Sequence, residues 1–226
     1  LTSKGLKVAV SWSGGKESSF SLYRSLSNGL QACFLLNMIN REARRSMSHG
    51  LDPDLIAAQA EAIGIPILQR ETTWDTYEQE FKAAVAQVKQ KGVSGVVFGD
   101  IDIEGHKEWV ERVCAELAVI PILPLWGVEP QRLLNDFIDA GFEAIVVGAK
   151  AELFSEEWLG RRVDQVFIEE LLRLNNVHPC GEQGEYHTFI TDGPIFKKRI
   201  KIIDSNTVLR ERYRFLDISR YELEGK

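Results

Sequence analysis

The chain has 226 residues, 44% of them hydrophobic and 27% charged, the proportions of a globular protein and not of a disordered or fibrous one. Its 33 acidic and 27 basic side chains leave a formal charge of −6 with no block of basic residues, which speaks against nucleic-acid backbone binding as its main business. The three separated cysteines, Cys33, Cys114 and Cys180, suggest neither a disulfide framework nor a zinc-type pairing. No run approaches the roughly 18 apolar residues that span a bilayer, and the opening LTSKGLKVAV lacks signal-peptide features. A cytoplasmic protein without membrane contact is expected.

Short apolar runs alternate with amphipathic stretches through the first two thirds of the chain, the rhythm of parallel strands joined by crossover helices. Strands are expected over residues 7–12, 32–39, 66–69, 95–98, 120–123 and 144–147, each nearly continuous in apolar character, as strands covered on both faces are. Helices are expected over 17–26, 54–63, 75–91, 106–117 and 130–140, where apolar residues recur at helical spacing. The fold class is α/β, a doubly wound, mostly parallel sheet whose strand ends share one ligand-binding edge. After about residue 150 come a Trp-containing loop, a helix over 164–174, the polar segment HPCGEQGEYHT, and KKRIKIID and ERYRFLDISRYELE, which alternate as half-exposed antiparallel strands do. A sheet domain over 1–150 and a smaller C-terminal α+β lobe over 151–226 follow from this change.

The first strand, VAVSW, runs through SGGKES into a helix beginning SFSLYRSL. A strand, glycine turn and helix in that order aim free backbone N–H groups at an anion. Gly14 and Gly15 permit close approach, Ser11 ends the strand beside them, and Ser13 and Ser18 add hydroxyls. Lys16 contributes a cation, and the helix dipole favours phosphate charge. Neither the G-x-x-x-x-G-K-[ST] spacing nor G-x-G-x-x-G is present. The bland alternative is a tight turn with serines capping a helix.

Four further places carry chemistry-bearing residues. GEQGEYHT groups Glu182, Glu185 and His187, which can hold an amine or Mg²⁺, or move a proton near neutral pH, or can simply form a polar turn. Cys180 beside them reads as a reduced packing cysteine. His49, in SMSHGLDPD, reaches the sheet's carboxyl edge as a contact to a nucleotide or an acyl acceptor, or as a structural or solvated histidine. Asp100 and Asp102, in FGDIDIEGHKEW, are Mg²⁺ or adenylate contacts or caps of the next helix. Trp109, Trp126 and Trp158 read as core or hinge, whereas Arg161, in WLGR, offers a fork of donors for phosphate or carboxylate.

SGGKES resembles the SGGxDS signature of the PP-loop ATP pyrophosphatases, and HPCGEQGEYHTFITDGPIF is similar to the GE-x-GE-[YF]-x-T motif of their diphthine-ammonia ligase branch. With WLGR between them, the two motifs extend the likeness over nearly the whole chain. The resemblance implies an adenine nucleotide alpha hydrolase-like, HUP-type fold and an ATP-dependent, AMP-forming, amide-forming ligase. It implies ATP and Mg²⁺ as cofactors, ammonia or ammonium as nucleophile, and a carboxylate acceptor, diphthine on translation elongation factor 2 if the source is archaeal or eukaryotic and another acceptor if it is bacterial. Ser11, Ser13, Gly14, Gly15, Lys16, Glu17, Ser18, His49, Asp100 and Arg161 would bind the nucleotide, and Lys16, Glu182, Glu185 and His187 would serve the chemistry. No dedicated metal ligand is assigned. The usual Asp of the turn is Glu17 here, one methylene longer, so a direct contact with Mg²⁺ is open. Two other readings stay open, a non-catalytic adenine-nucleotide sensor and a tRNA-modifying PP-loop enzyme. A homodimer is one arrangement compatible with the sequence.

Overall fold

A computed structural model describes residues 4–47 and 49–226. Five parallel strands form the first sheet: β1 (Lys7–Ser11), β2 (Gln31–Asn40), β4 (Ile67–Thr72), β5 (Gly95–Val97) and β6 (Ile120–Ile122). A two-residue strand, β3 (Arg45–Ser46), adds antiparallel to the end of β2. The spatial order of the parallel strands is β4-β2-β1-β5-β6, so the winding reverses between β1 and β5, and a crevice opens there beyond the strand ends.

Helices α1 (Lys16–Ser27), α2 (Pro53–Ile63), α3 (Tyr77–Lys89), α4 (Glu104–Glu116) and α5 (Pro130–Asp139) complete this layer. Because successive strand side chains point to opposite faces, Val8 and Val10 of β1 join one apolar cluster and Ala9 joins another. The second cluster belongs to α3 and α4 through Phe81, Val85, Val110 and Val113. Local signals set several ends. Asp52 accepts from the Asp54 amide at 2.9 Å ahead of Pro53 at the start of α2, and Gly64 ends that helix in the left-handed region.

A second, antiparallel sheet in the order β8-β7-β10-β9 is built from β7 (Glu143–Lys150), β8 (Tyr186–Asp192), β9 (Lys198–Arg210) and β10 (Tyr213–Gly225). Helix α6 (Gln165–Leu171), capped by Asp164 onto the Phe167 amide, packs beside it. The expected strand over 144–147 therefore forms as part of β7 but does not extend the parallel sheet. It pairs antiparallel with β8 and β10, and β6 stays at the open edge with Ile120 exposed. A continuous apolar run reads alike in either setting; the partners arriving later in the chain decide. Among the described residues no helix is long and apolar enough to cross a membrane.

The two sheets are joined at the glycine turn by a buried amide. Gln59 of α2 accepts from Trp12 Nε1 at 2.9 Å and donates from Nε2 to the carbonyls of Gly14 (3.1 Å) and Ile190 (2.8 Å). The Ile190 amide also donates to the Gly14 carbonyl at 3.1 Å. Gln59→Leu removes the partners of one buried donor and leaves two carbonyls short of a donor. It should lower the unfolding free energy by about 2–4 kcal/mol, read by denaturant titration.

Candidate active site

The crevice at the β1/β5 switch holds a cavity of about 450 Å³. Its floor is the turn after β1. Gly14 has φ +82°, and a Cβ there would lie 2.6 Å from Ile56 Cδ1, so glycine is required both by backbone and by space. Gly15 caps α1 without any side-chain hydrogen bond. The Lys16 amide donates to Thr188 Oγ1 of β8 at 3.1 Å, while Ser13 and Ser18 pair through their hydroxyls at 3.2 Å. First-turn amides lack intrahelical partners and sit at the positive end of the dipole, so this floor suits an anion.

Lys16 is fully buried, an unusual place for an ammonium. Its Nζ donates to the Cys180 carbonyl at 2.7 Å, lies 2.7 Å from Glu17 Oε1 and sits 4.4 Å above the Tyr186 ring. Burial works against its charge, but Glu17, Tyr186 and Cys180 outweigh it and hold the Lys16 pKa above the usual value. The charge therefore persists at any physiological pH. Cys180 is buried, bonds through Sγ to the Pro130 carbonyl, and burial raises its thiol pKa; it packs and offers a carbonyl.

One wall carries two imidazoles. His49 and His187 have ring centroids 4.8 Å apart. Burial first, then His187 and Lys16, push the His49 pKa well below its usual value. Burial, Lys16 and Lys150 bring His187 down to about 4. Both are neutral near pH 7, and His49 Nδ1 is buried with no hydrogen-bond partner among the described residues, which suits an imidazole nitrogen that meets a ligand.

Glu182 reaches the same cavity, and burial, then Glu17, Asp100 and Asp102, raise its pKa to about 8 against the opposing pull of Lys16. Among the described residues no group of three or more His, Cys, Asp or Glu makes a ready metal cage. Mg²⁺ needs none, since it is commonly held by one or two carboxylates together with phosphates. Glu17 and Glu182, two carboxylates that repel one another here, fit that pattern.

Other expected site residues lie elsewhere or act differently. Glu185 is buried but does not line the cavity; its Oε1 accepts from the His178 amide at 2.8 Å and its Oε2 from the Gln183 amide at 2.9 Å. Both oxygens are thus consumed in shaping the loop that carries Glu182. Arg161 is outside the cavity too, because Glu170 of α6 takes its guanidinium at 2.6 Å and the Trp158 ring stacks on it. Neither Asp100 nor Asp102 caps α4, whose N-cap is Ile103. Asp100 lines the cavity and meets His106 Nδ1 at 3.1 Å, whereas Asp102 meets His178 Nε2 at 3.0 Å. Ser11, Ser13, Lys16, Glu17, Ser18, His49, Glu182 and His187 are brought together; Gly14 and Gly15 shape the floor from beneath.

The cavity also has an aromatic end that the sequence reading missed. Trp74, in the loop after β4, and Tyr77, the first residue of α3, line it with Trp109, which is therefore a cavity residue as well as packing. The signal was present in ETTWDTYE, a tryptophan just past the carboxyl end of a parallel strand, where it had no core to fill.

Parallel strands in the order β4-β2-β1-β5-β6, with a glycine turn and a helix N-terminus at the switch point, define a doubly wound α/β protein with a crevice suited to an anion. Residues 6–121 match the family model described as diphthamide synthase N-terminal domain, and residues 129–223 match the diphthamide synthase C-terminal domain. The chain belongs to the diphthamide synthase family. It is 32% identical to the diphthine–ammonia ligase of Danio rerio, covering 90% of this chain and 89% of that one. It is 30% identical to the diphthine–ammonia ligase of Homo sapiens, covering 90% and 85%. A crystal structure titled as a predicted subunit of tRNA methyltransferase from Methanocaldococcus jannaschii aligns with a TM-score of 0.47 and 16% identity, covering 84% of this chain and 98% of that one.

Two measurements check these assignments. Glu185→Gln places an amide NH₂ against a backbone N–H, so it should cost about 1–3 kcal/mol of stability and speed proteolysis in the loop over 178–185. Glu182 binds its proton more tightly when folded, so its contribution to stability is full below pH 4.5 and is lost as pH rises to about 8. Between about pH 7 and 8, where the two cavity histidines are neutral in the folded chain, stability should therefore fall with pH and the slope should flatten in Glu182→Gln, read by urea titration at each pH.

Proposed function

We propose that this chain is an ATP-dependent, AMP-forming ligase that converts a carboxylate into an amide with ammonia, with diphthine on translation elongation factor 2 as the acceptor. The observation that carries the reading is the single cavity in which the turn after β1 and the GEQGEYHT loop meet across the Lys16 ammonium. Neither the sensor nor the tRNA-modifying reading accounts for family membership over both halves of the chain or for the diphthine–ammonia ligase names of its relatives.

A carboxylate resists amide formation because its oxygen leaves poorly and its charge repels nucleophiles. In the proposed reaction an acceptor carboxylate oxygen bonds to the α-phosphorus of ATP as the bond from that phosphorus to the bridging oxygen breaks and pyrophosphate leaves. Ammonia then bonds to the acyl carbon, AMP departs with the carboxylate oxygen, and the nitrogen sheds a proton. Lys16 and the first-turn amides of α1 would hold the pyrophosphate portion, where charge builds on the leaving group. His49 Nδ1 offers the nucleotide one hydrogen bond. Neutral His187 would accept a hydrogen bond from the attacking amine through its free lone pair, while burial and Lys16 keep it a weak base. Glu17 and Glu182 would hold Mg²⁺, whose chemistry is to neutralise phosphate charge. Covering by the second sheet keeps water from an adenylate that hydrolyses readily.

With α-labelled ATP, Mg²⁺, an ammonium salt and acceptor protein, label should leave as AMP and not ADP, and only when acceptor is present. Lys16→Met keeps the stem and removes the charge; it should slow AMP formation by about 10²–10³-fold, with thermal unfolding recorded alongside to separate lost charge from lost fold.

A further inference from the structure

The loop between α6 and β8 carries a histidine whose polar atoms are all engaged. His178 donates its backbone N–H to Glu185 Oε1 at 2.8 Å and accepts at its carbonyl from the Gly181 amide at 2.8 Å. Its ring Nδ1 faces the Cys180 amide at 3.1 Å and, more loosely, the Glu182 amide at 3.5 Å, while its Nε2 meets Asp102 Oδ2 at 3.0 Å. A backbone N–H can only donate, so Nδ1 carries the lone pair; the ring proton is then on Nε2, facing a carboxylate that can only accept. These partners together select one tautomer. Asp102 lies between β5 and α4, so the ring also ties the C-terminal loop to the parallel sheet.

The ring lies outside the cavity, yet what it holds lies inside. The peptide group joining Cys180 to Gly181 sits between the two amides that face Nδ1. Its N–H donates to the His178 carbonyl, and its oxygen takes the Lys16 ammonium at 2.7 Å. A hydrogen bond at one end of a peptide group polarises the other, which strengthens the acceptor offered to Lys16. Glu182, the next residue, is the carboxylate of this loop that faces the cavity. We propose that His178 is a positioning residue for the ligase reaction: with Asp102 fixing its tautomer, it holds the Cys180 carbonyl and Glu182 in register with Lys16, and so sets the rate of adenylate formation without touching a substrate. Packing alone does not account for the arrangement, because a ring that only filled space would not need an acceptor toward Cys180 and a donor toward Asp102 at once.

The inference rests on the ligase reading, and the test separates the two. In the full chain, His178→Phe keeps a ring and removes both nitrogens. It should lower kcat for AMP formation about 10–100-fold while the ATP KM stays within about twofold, because charge on the leaving pyrophosphate builds only in the transition state. Asparagine places an amide oxygen where Nδ1 stands, so His178→Asn should recover most of kcat. An unchanged kcat in His178→Phe, or a loss that His178→Asn fails to restore, would overturn the proposal. Should the Phe variant not fold, the parent protein decides. Long-range proton–nitrogen NMR of histidine-labelled protein, with the His178 resonances identified by their loss in His178→Asn, should show the Nε2–H tautomer above the histidine titration range, and a proton on Nδ1 would overturn the proposal. No acceptor-dependent AMP from the parent protein would overturn the ligase reading and the kinetic role with it, whereas the other tautomer or a failed rescue overturns this inference alone.

Discussion

The site depends on one buried ammonium. Lys16 belongs to the first helix, yet its charge is satisfied by the carbonyl of Cys180, the ring of Tyr186 and the carboxylate of Glu17. An unpaired buried charge is very costly and a paired one is tolerable. The glycine turn and the C-terminal loop therefore hold each other in place. Thr188 on the Lys16 amide and Gln59 on the Gly14 and Ile190 carbonyls add neutral hydrogen bonds to the same seam. The floor of the cavity is thus held by residues from both sheets.

Burial shapes the electrostatics as much as charge pairing does. Removal from water keeps His49 and His187 neutral and keeps a proton on Glu182 well above the usual carboxylate range. Neutral imidazoles and mutually repelling carboxylates thus face one cavity. The loop that delivers Glu182 is pinned by Glu185, by Lys150 Nζ on the Gln183 carbonyl at 2.9 Å, and by His178 on Asp102. Two glutamates three positions apart in one motif thus differ, one facing the cavity and one building the loop.

What the sequence by itself determined is local and periodic. The apolar runs and amphipathic stretches mark six strands, five of which prove parallel, and the helices between them, and SGGKES after the first strand marks where an anion can sit, because glycine tolerance and the helix N-terminus are properties of neighbouring residues. The GEQGEYHT loop was also recognisable as a concentration of polar side chains, and Glu182 and His187 of it line the cavity. What only the tertiary structure decided is which way long side chains face and who their partners are. The run over 144–147 joined the antiparallel sheet because β8 and β10, tens of residues later, supplied its hydrogen bonds. Arg161 was drawn to Glu170 and away from phosphate, Glu185 to the loop amides, and Trp74 was left uncovered at the cavity mouth. Residue type and spacing state what a side chain is able to do, but its hydrogen bonds and burial come from residues distant in the chain, and these exist only once the two sheets have packed.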